Sequence, residues 1–431
     1  MSVREGYKQT EVGVIPEEWE VVKLGDILTV KGGNAFKSSD FKEKGISVLK
    51  ISNITKNATI DLSDSSKVDE KETYSQFLLK ENDIIIAMSG ATTGKIGKVK
   101  KNDLPVYLNQ RVGKFELVKK DLLNNIYLYF NVTKNNFLDK LLINAIGGAQ
   151  PNISSKQIEN LKIPLPPLPE QQKIAAILTS VNNKVEVIDA QIAKTETLKK
   201  GLMQKLLSEG IGHTEFKDSE IGRIPKEWEV VRLGDIIGNI TGGVSVNSED
   251  RKKHDNEIGI LKTSAIAGGK FFPEEHKTVL KNEYNRVATN PLADHIIFSR
   301  MNTPLLVGES GYINKDYPDL YLPDRLWQIG VKSKENTNVK WLSYVLTSQR
   351  VKKLLKKAAT GTSNSMKNIS KPSLLKIKIP LPPLYEQKQI AKILSTTDNK
   401  LDTLRAKKEK YETLKKGLMQ KLLTGEVRVK V

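Results

Sequence analysis

Residues 90–97 read "GATTGKIG", directly after the apolar run "DIIIAMS" (Asp83 to Ser89). A phosphate loop needs four residues between its framing glycines and a hydroxyl residue after its lysine. Here three residues separate Gly90 from Gly94, and Ile96 follows Lys95, so the magnesium-binding hydroxyl is missing. The segment is read instead as a glycine turn behind a buried strand, exposing Thr92, Thr93 and Lys95 to a nucleic-acid backbone. The four histidines (His213, His254, His276, His295) have no metal-ligand spacing and are taken as surface or core residues. "NPLAD" at Asn290 lacks the second proline and the aromatic residue of an amino-methyltransferase motif. There is no glycine-rich dinucleotide fingerprint and no Ser-His-Asp or Cys-His arrangement with workable spacing, so no catalytic constellation is expected.

The elements that would position such turns are written twice. "IPEEWEVVKLGDI" (Ile15 to Ile27) returns as "IPKEWEVVRLGDI" (Ile224 to Ile236), and "ETLKKGLMQKLL" (Glu196 to Leu207) returns unchanged at Glu412 to Leu423. The offset is 209 residues at the tryptophans (228 − 19) and 216 at the glutamates (386 − 170), so the second copy has gained residues between those markers. The chain is a duplicated domain pair, for which pseudo-twofold symmetry is expected. Each copy opens with a variable part, from about Ile15 to Ile163 and from about Ile224 to Ile379. "DIIIAMS" matches "DHIIFSR", "ISVLKISNI" matches "IGILKTSAI", and Gly32-Gly33 matches Gly242-Gly243. Short β-prone runs ending in glycine turns predict a curved sheet. Helices are predicted in "LLNNIYLYFNVTKNNFLDKLL" and "VKWLSYVLTSQRVKKLLKKAA", giving α+β domains. Trp19 and Trp228 are expected to anchor the two cores.

The second part of each copy is nearly constant. It opens with "IPLPPLPEQQ" or "IPLPPLYEQK", whose prolines favour extended chain followed by a helix start. Apolar residues then fall at 174, 178, 181, 185, 188 and 192, the spacing of a coiled-coil seam. The second seam is Ile390, Leu394, Thr397, Leu401 and Leu404, continued by Tyr411, Leu414, Leu418 and Leu422. Each helix should run about 40 residues, about 60 Å, stopping near Gly210 and Gly425. The simplest partner for each seam is the other helix of the same chain, antiparallel, because tethering raises its effective concentration. Pairing with a second copy is the alternative.

The formal net charge is +19, which favours a polyanionic partner, nucleic acid before an anionic membrane surface. The basic residues are spread through both halves, so the partner should meet folded basic faces rather than a tail. No apolar run is long enough for a membrane span and the N-terminus has no secretory h-region. Cysteine is absent, which fits a reducing cytoplasm. Aromatic residues make up 6% of the chain and are not interleaved with basic runs, which argues against single-strand stacking.

A "PLPPLPEQQ" segment before a long helix, occurring twice, with a "W" head on each repeat, resembles the DNA specificity subunit of type I restriction–modification systems. "LKIS" near Leu49, "SGATTGKIG", "LNQRV" at Leu108 and "GGAQPNIS" at Gly147 extend the likeness through the first copy. The second copy departs from it, with "RMNTPLLVGESG" and "GTSNSMKNIS" in the corresponding places. The resemblance implies two α/β target-recognition domains in a pseudo-twofold arrangement, joined by two long helices forming an antiparallel coiled coil. It divides the chain into 1–163 (first recognition domain), 164–212 (central helix), 213–379 (second domain) and 380–431 (C-terminal helix).

The implied function is non-catalytic reading of a bipartite site in double-stranded DNA, with the helices setting the spacer and docking two methyltransferase subunits. Restriction and translocase subunits join the complex. This chain itself holds no cofactor; S-adenosylmethionine, ATP and Mg are expected in the partner subunits. Glu170, Gln171, Glu386 and Gln387 are the candidates for subunit docking.

Base reading needs directed donors and acceptors at turns and strand ends. In the first domain the candidates are Asn34, Lys37, Ser89, Thr92, Thr93, Lys95, Asn109, Gln110, Arg111 and Gln150. In the second they are Lys262, Arg300, Asn302, Thr303, Arg325, Ser363, Asn364 and Lys367. Two rivals stand beside this reading. A self-sufficient methyltransferase or nuclease would need a cofactor motif that is not found. A basic coiled-coil scaffold or adaptor does not explain why the recognition parts diverge while the helices stay matched.

Overall fold

The computed structural model describes residues 4–55, 58–143, 152–361 and 366–430. They form two compact units, one of residues 1–189 with 406–431, the other of residues 190–405. The division falls inside each long helix rather than at the proline-led starts. The first half of the central helix belongs to the core of unit 1, and its second half to that of unit 2.

Each unit is built on a four-stranded antiparallel sheet. In unit 1 the order is Leu28–Gly32, Val112–Leu117, Ile84–Ala87, Ile96–Lys98. In unit 2 it is Ile237–Gly242, Leu326–Val331, His295–Ser299, Ser310–Ile313. The run "IIIA" is buried throughout because both faces of its sheet are covered. Ile84 and Ile86 join the core that holds Trp19 and the helices. Ile85 and Ala87 point the other way, onto Leu49, Val106 and Leu108. Ile296 and Phe298 against Ile297 repeat the arrangement in unit 2. That alternation is the period-2 geometry of a strand.

A second small sheet covers the outer face. Ile46–Leu49 pairs in parallel with Val106–Leu108, and Gly259–Leu261 with Leu320–Tyr321. A two-stranded ladder ties each repeat's head to the proline-led segment, Glu20–Lys23 with Lys162–Leu165 and Glu229–Arg232 with Lys378–Leu381. Pro164 and Pro380 are tolerated there because a two-stranded ladder leaves one edge of each strand unpaired.

The long helices span Leu168–Leu206 and Leu384–Leu422, 39 residues each. Helical stretches at Asn125–Val132, Asn135–Ile143, Val339–Thr347 and Gln349–Ala358 fall where the sequence places them. The long helices pack antiparallel in both units. In unit 1 Lys408 meets Asp189 at 2.7 Å and Lys415 meets Asn182 at 2.6 Å. In unit 2 Lys199 meets Asp398 at 2.6 Å and Arg405 meets Glu196 at 2.7 Å. Rising numbers on one helix meet falling numbers on the other.

One seam assignment is corrected. Leu414 is 48% exposed and Lys415 takes its place. From Leu404 the buried face continues through Lys408, Tyr411, Lys415, Leu418 and Leu422, the unbroken 4-3 spacing. The first helix does the same through Thr195, Lys199, Leu202 and Leu206. A lysine can hold a seam position because its stem packs while its ammonium reaches a partner. Hydrophobicity alone therefore selects the wrong neighbour at 414/415.

Candidate nucleic-acid interface

In an antiparallel sheet, the exit of one strand and the entry of its neighbour lie at the same end. In unit 1 that end collects the turn after Gly32, the entry at Val112, the exit at Ala87 and the entry at Ile96. Asn34, Ser89, Thr92, Thr93, Lys95, Asn109, Gln110 and Arg111 all sit on those four connections, so residues distant in sequence share one rim. Backbone bonds lock the rim. Asn34 N–H donates to Leu108 O (2.9 Å) and Gln110 N–H to Asn34 O (2.9 Å). Met88 N–H donates to Arg111 O (2.9 Å) and Ala87 N–H to Lys95 O (2.9 Å). Gly33 is required: a Cβ there would lie 2.0 Å from Leu108 O. Gly90 and Gly94 have φ of 79° and 81°, the left-handed region that suits glycine.

Unit 2 repeats three of these four bonds. Val244 N–H donates to Leu322 O (3.1 Å), Arg300 N–H to Arg325 O (3.1 Å) and Ser299 N–H to Glu309 O (2.8 Å). A Cβ on Gly243 would lie 1.6 Å from Leu322 O. Ile153 N–H to Met88 O (2.9 Å) corresponds to Ile369 N–H to Arg300 O (2.8 Å). These matches equate Met88 with Arg300, Lys95 with Glu309 and Arg111 with Arg325. The backbone frame is thus constant while the side chains on it change, including a reversal of charge at Lys95 and Glu309.

The side chains divide into two groups. Gln110, Arg111, Thr303 and Arg325 are exposed on the rim, and Asn34, Thr92, Thr93, Lys95, Asn109 and Arg300 are half-buried. Lys37 is exposed on the loop leading to Phe41–Lys42. Lys367 lies beside the second rim, its strand paired with Met301–Asn302 and its ammonium 2.6 Å from Gly361 O. Among the described residues, Ser89 Oγ and Thr92 Oγ1 are shielded and find no hydrogen-bond partner, and the same holds for Arg300 Nε, Ser310 Oγ and Asn368 Oδ1 in unit 2. Such groups cost about 1–3 kcal/mol each when unsatisfied, so both rims carry polar atoms that no described residue satisfies.

Other candidates are committed internally. Asn302 is buried, donating to Ser299 Oγ (3.2 Å) and accepting from Thr303 N–H (2.8 Å), so it shapes the turn. Lys262 pairs with Asp250 at 2.9 Å, which raises its pKa above the ordinary lysine value. Gln150, Ser363 and Asn364 lie outside the described residues.

Residues 16–197 and 225–413 match the type I restriction modification DNA specificity domain, one match per repeat. The chain belongs to the type I restriction–modification DNA specificity family. It is 34% identical to the type I restriction enzyme MjaVIII specificity subunit of Methanocaldococcus jannaschii, over 99% of this chain and 97% of that protein. It is 33% identical to the putative MjaX specificity subunit of the same organism, again over 99% and 97%. The fold is shared with the solved type I restriction–modification S subunit of M. genitalium, with a TM-score of 0.65 over 98% of both chains at 16% identity.

In this family member the glutamates and glutamines of the proline-led segments, expected from the sequence as docking groups, are buried and spend their hydrogen bonds within the chain. Glu170 and Glu386 are 1% and 2% exposed, and Gln171 and Gln387 are fully buried. Glu170 accepts from Trp19 Nε1 (3.0 Å) and from Arg428 Nε and Nη2 (2.7 and 3.0 Å). Glu386 accepts from Trp228 Nε1 (2.8 Å) and Ile211 N–H (2.8 Å), with His213 Nε2 at 3.0 Å. Gln171 accepts from Asn124 N–H (2.9 Å) and donates to Leu122 O and Pro166 O (both 2.8 Å). Gln387 does the same with Asn338 N–H, Asn336 O and Pro382 O. These residues clamp the tryptophan head, the helix start and the segment following a helix end into one core. The clamping side chains Arg428 and His213 carried no sequence signal because their types differ between the copies.

Among the described residues no group of three His, Asp or Glu side chains could hold a metal ion. No helix among them is long and apolar enough to cross a membrane.

Proposed function

We propose that this chain reads a bipartite site in double-stranded DNA, with one half-site facing the rim of each unit, and directs methyltransferase subunits to it. The observation that carries the reading is the pair of rims, alike in the backbone frame at the strand ends and different in side chains and in the length of one turn, within a family named for DNA specificity. A fixed frame with variable donors and acceptors gives two recognition surfaces of different sequence preference. The net charge of +19 supplies phosphate attraction that holds the complex on DNA without selecting sequence.

The two long helices act as the ruler for the spacer. They also supply the methyltransferase dock through exposed apolar residues at matching places, Leu198 and Leu414, 54% and 48% exposed. S-adenosylmethionine, ATP and Mg belong to the methyltransferase and restriction subunits. The experiment is co-expression with a cognate methyltransferase, followed by genome-wide mapping of methylated adenine, with each protein alone as control. A two-part motif with a fixed gap, seen only with both proteins, is the expected result. Insertion of one heptad into each helix should alter the gap; an unchanged gap sinks the ruler. Methylation by this chain alone would overturn the non-catalytic reading.

A further inference from the structure

The rim turn of unit 2 differs from that of unit 1 in a way that the polar candidates do not explain. Between the matched positions Met88/Arg300 and Lys95/Glu309, unit 1 has Ser89–Gly94 and unit 2 has the longer Met301–Gly308. The longer turn reads "MNTPLLVG". Its base is rigid. Leu306 and Val307 both donate backbone N–H groups to Thr303 O (3.0 and 2.9 Å), Val307 is buried in the core, and Gly308 sits at φ 82° against Leu355. Its tip is apolar and bare: Leu305 is 77% exposed and Leu306 43%. Leu305 is thus held outward on a turn whose base adjoins Arg300 and Arg325, through their backbone bond, and Lys367, through its strand pairing with Asn302.

An aliphatic side chain exposed at the tip of such a turn gains nothing for the fold. Against DNA it gains a methyl contact, since the C5-methyl of thymine is the one apolar group that a base pair presents in the major groove. Arg300 and Lys367, at the base of the turn, would meet the phosphates on either side. We infer that Leu305 is a specificity-determining residue that selects thymine at one position of the half-site read by unit 2. This rests on the DNA-reading function proposed above.

The test uses the complex of the full chain with its methyltransferase and duplexes carrying the mapped motif. The half-site relaxed by Gly243→Ala identifies the one read by unit 2. Each thymine in that half-site is replaced in turn by uracil, which removes only the methyl group. One replacement should weaken wild-type binding about fourfold, the worth of one buried methyl group. Leu305→Ala should weaken binding to the thymine duplex similarly and be indifferent to that uracil, and Leu305→Met should restore the discrimination. A half-site without thymine, uniform indifference to uracil, or equal weakening on specific and scrambled duplexes would each overturn the assignment. In the last case Leu305 contacts protein or DNA without reading sequence. A wild-type complex that binds no duplex selectively would instead remove the DNA-reading function itself, a different result from selective binding that ignores uracil.

Discussion

Arg428→Met isolates the clamp that joins residues 406–431 to the head of unit 1. Arg428 makes two charge-assisted bonds to Glu170, of 2.7 and 3.0 Å, and one to Glu18 of 2.8 Å. The Glu18 arm is exposed and contributes at most about 0.5 kcal/mol. The Glu170 arm is different because that carboxylate is 1% exposed and retains only the Trp19 indole when the guanidinium is removed. Breaking a fully buried pair costs about 3–5 kcal/mol. The guanidinium side is 37% exposed, so water can partly replace it, and about 2 kcal/mol is expected. In a unit of this size that corresponds to a fall of about 4–8 °C in Tm. The assay is thermal and urea unfolding of the full chain with Arg428→Met, Glu170→Gln and the double variant. The cycle should show coupling of about 1–2 kcal/mol, because Glu170→Gln removes the charge that Arg428 compensates. Destabilisation by Arg428→Met below about 0.5 kcal/mol, with no coupling, would refute the clamp.

Gly33→Ala and Gly243→Ala should each force the rim apart, because the added Cβ meets a carbonyl oxygen in both cases. Methylome mapping should show one half-site relaxed while the other is unchanged, and relaxation of both halves by either variant would contradict separate rims. Arg111→Gln and Arg325→Gln should each lose about 1–3 kcal/mol on the specific duplex and relax one base position; equal losses on all sequences would reduce these residues to phosphate contacts. Leu198→Glu with Leu414→Glu should leave Tm within about 1 kcal/mol equivalent, since both are exposed, yet weaken methyltransferase association in sedimentation. Burial holds the Lys415 ammonium below its ordinary pKa. The unfolded chain therefore binds the extra proton between the two pKa values, and stability rises with pH as the window is crossed toward about 10.4. Lys415→Met should reduce that alkaline rise in unfolding free energy, to which half-buried Lys98 and Lys134 also contribute, and an identical pH profile would show that Lys415 has no part in it.

The sequence alone exposes whatever repeats or alternates. Duplication is visible in "EWEVV" and "ETLKKGLMQKLL", and the strand at Ile84–Ala87 is visible because a short β-branched run ending at a glycine turn reads as a buried strand. The long helices are visible through their 4-3 spacing, and the turn at Gly33 through its paired glycines. The rim's membership follows as well, since polar residues flanking strand ends must gather wherever an antiparallel sheet turns.

What tertiary structure decided is the direction in which polar side chains spend their hydrogen bonds. Glu170, Gln171, Glu386 and Gln387 look like a surface signature because charged and amide residues usually face water. Only the folded core shows each satisfied by an indole, a prolyl carbonyl or a chain segment far away in sequence. Lys415 displaces Leu414 from the seam for the complementary reason, since Asn182 accepts its ammonium across the helix pair. Asn302 turns inward to close its own loop, and Leu305 turns outward although it is apolar. Sequence pattern ranks residues by their average preference for water; partners brought together by the fold decide the individual case, because a satisfied polar group can be buried and a constrained apolar one can be left exposed.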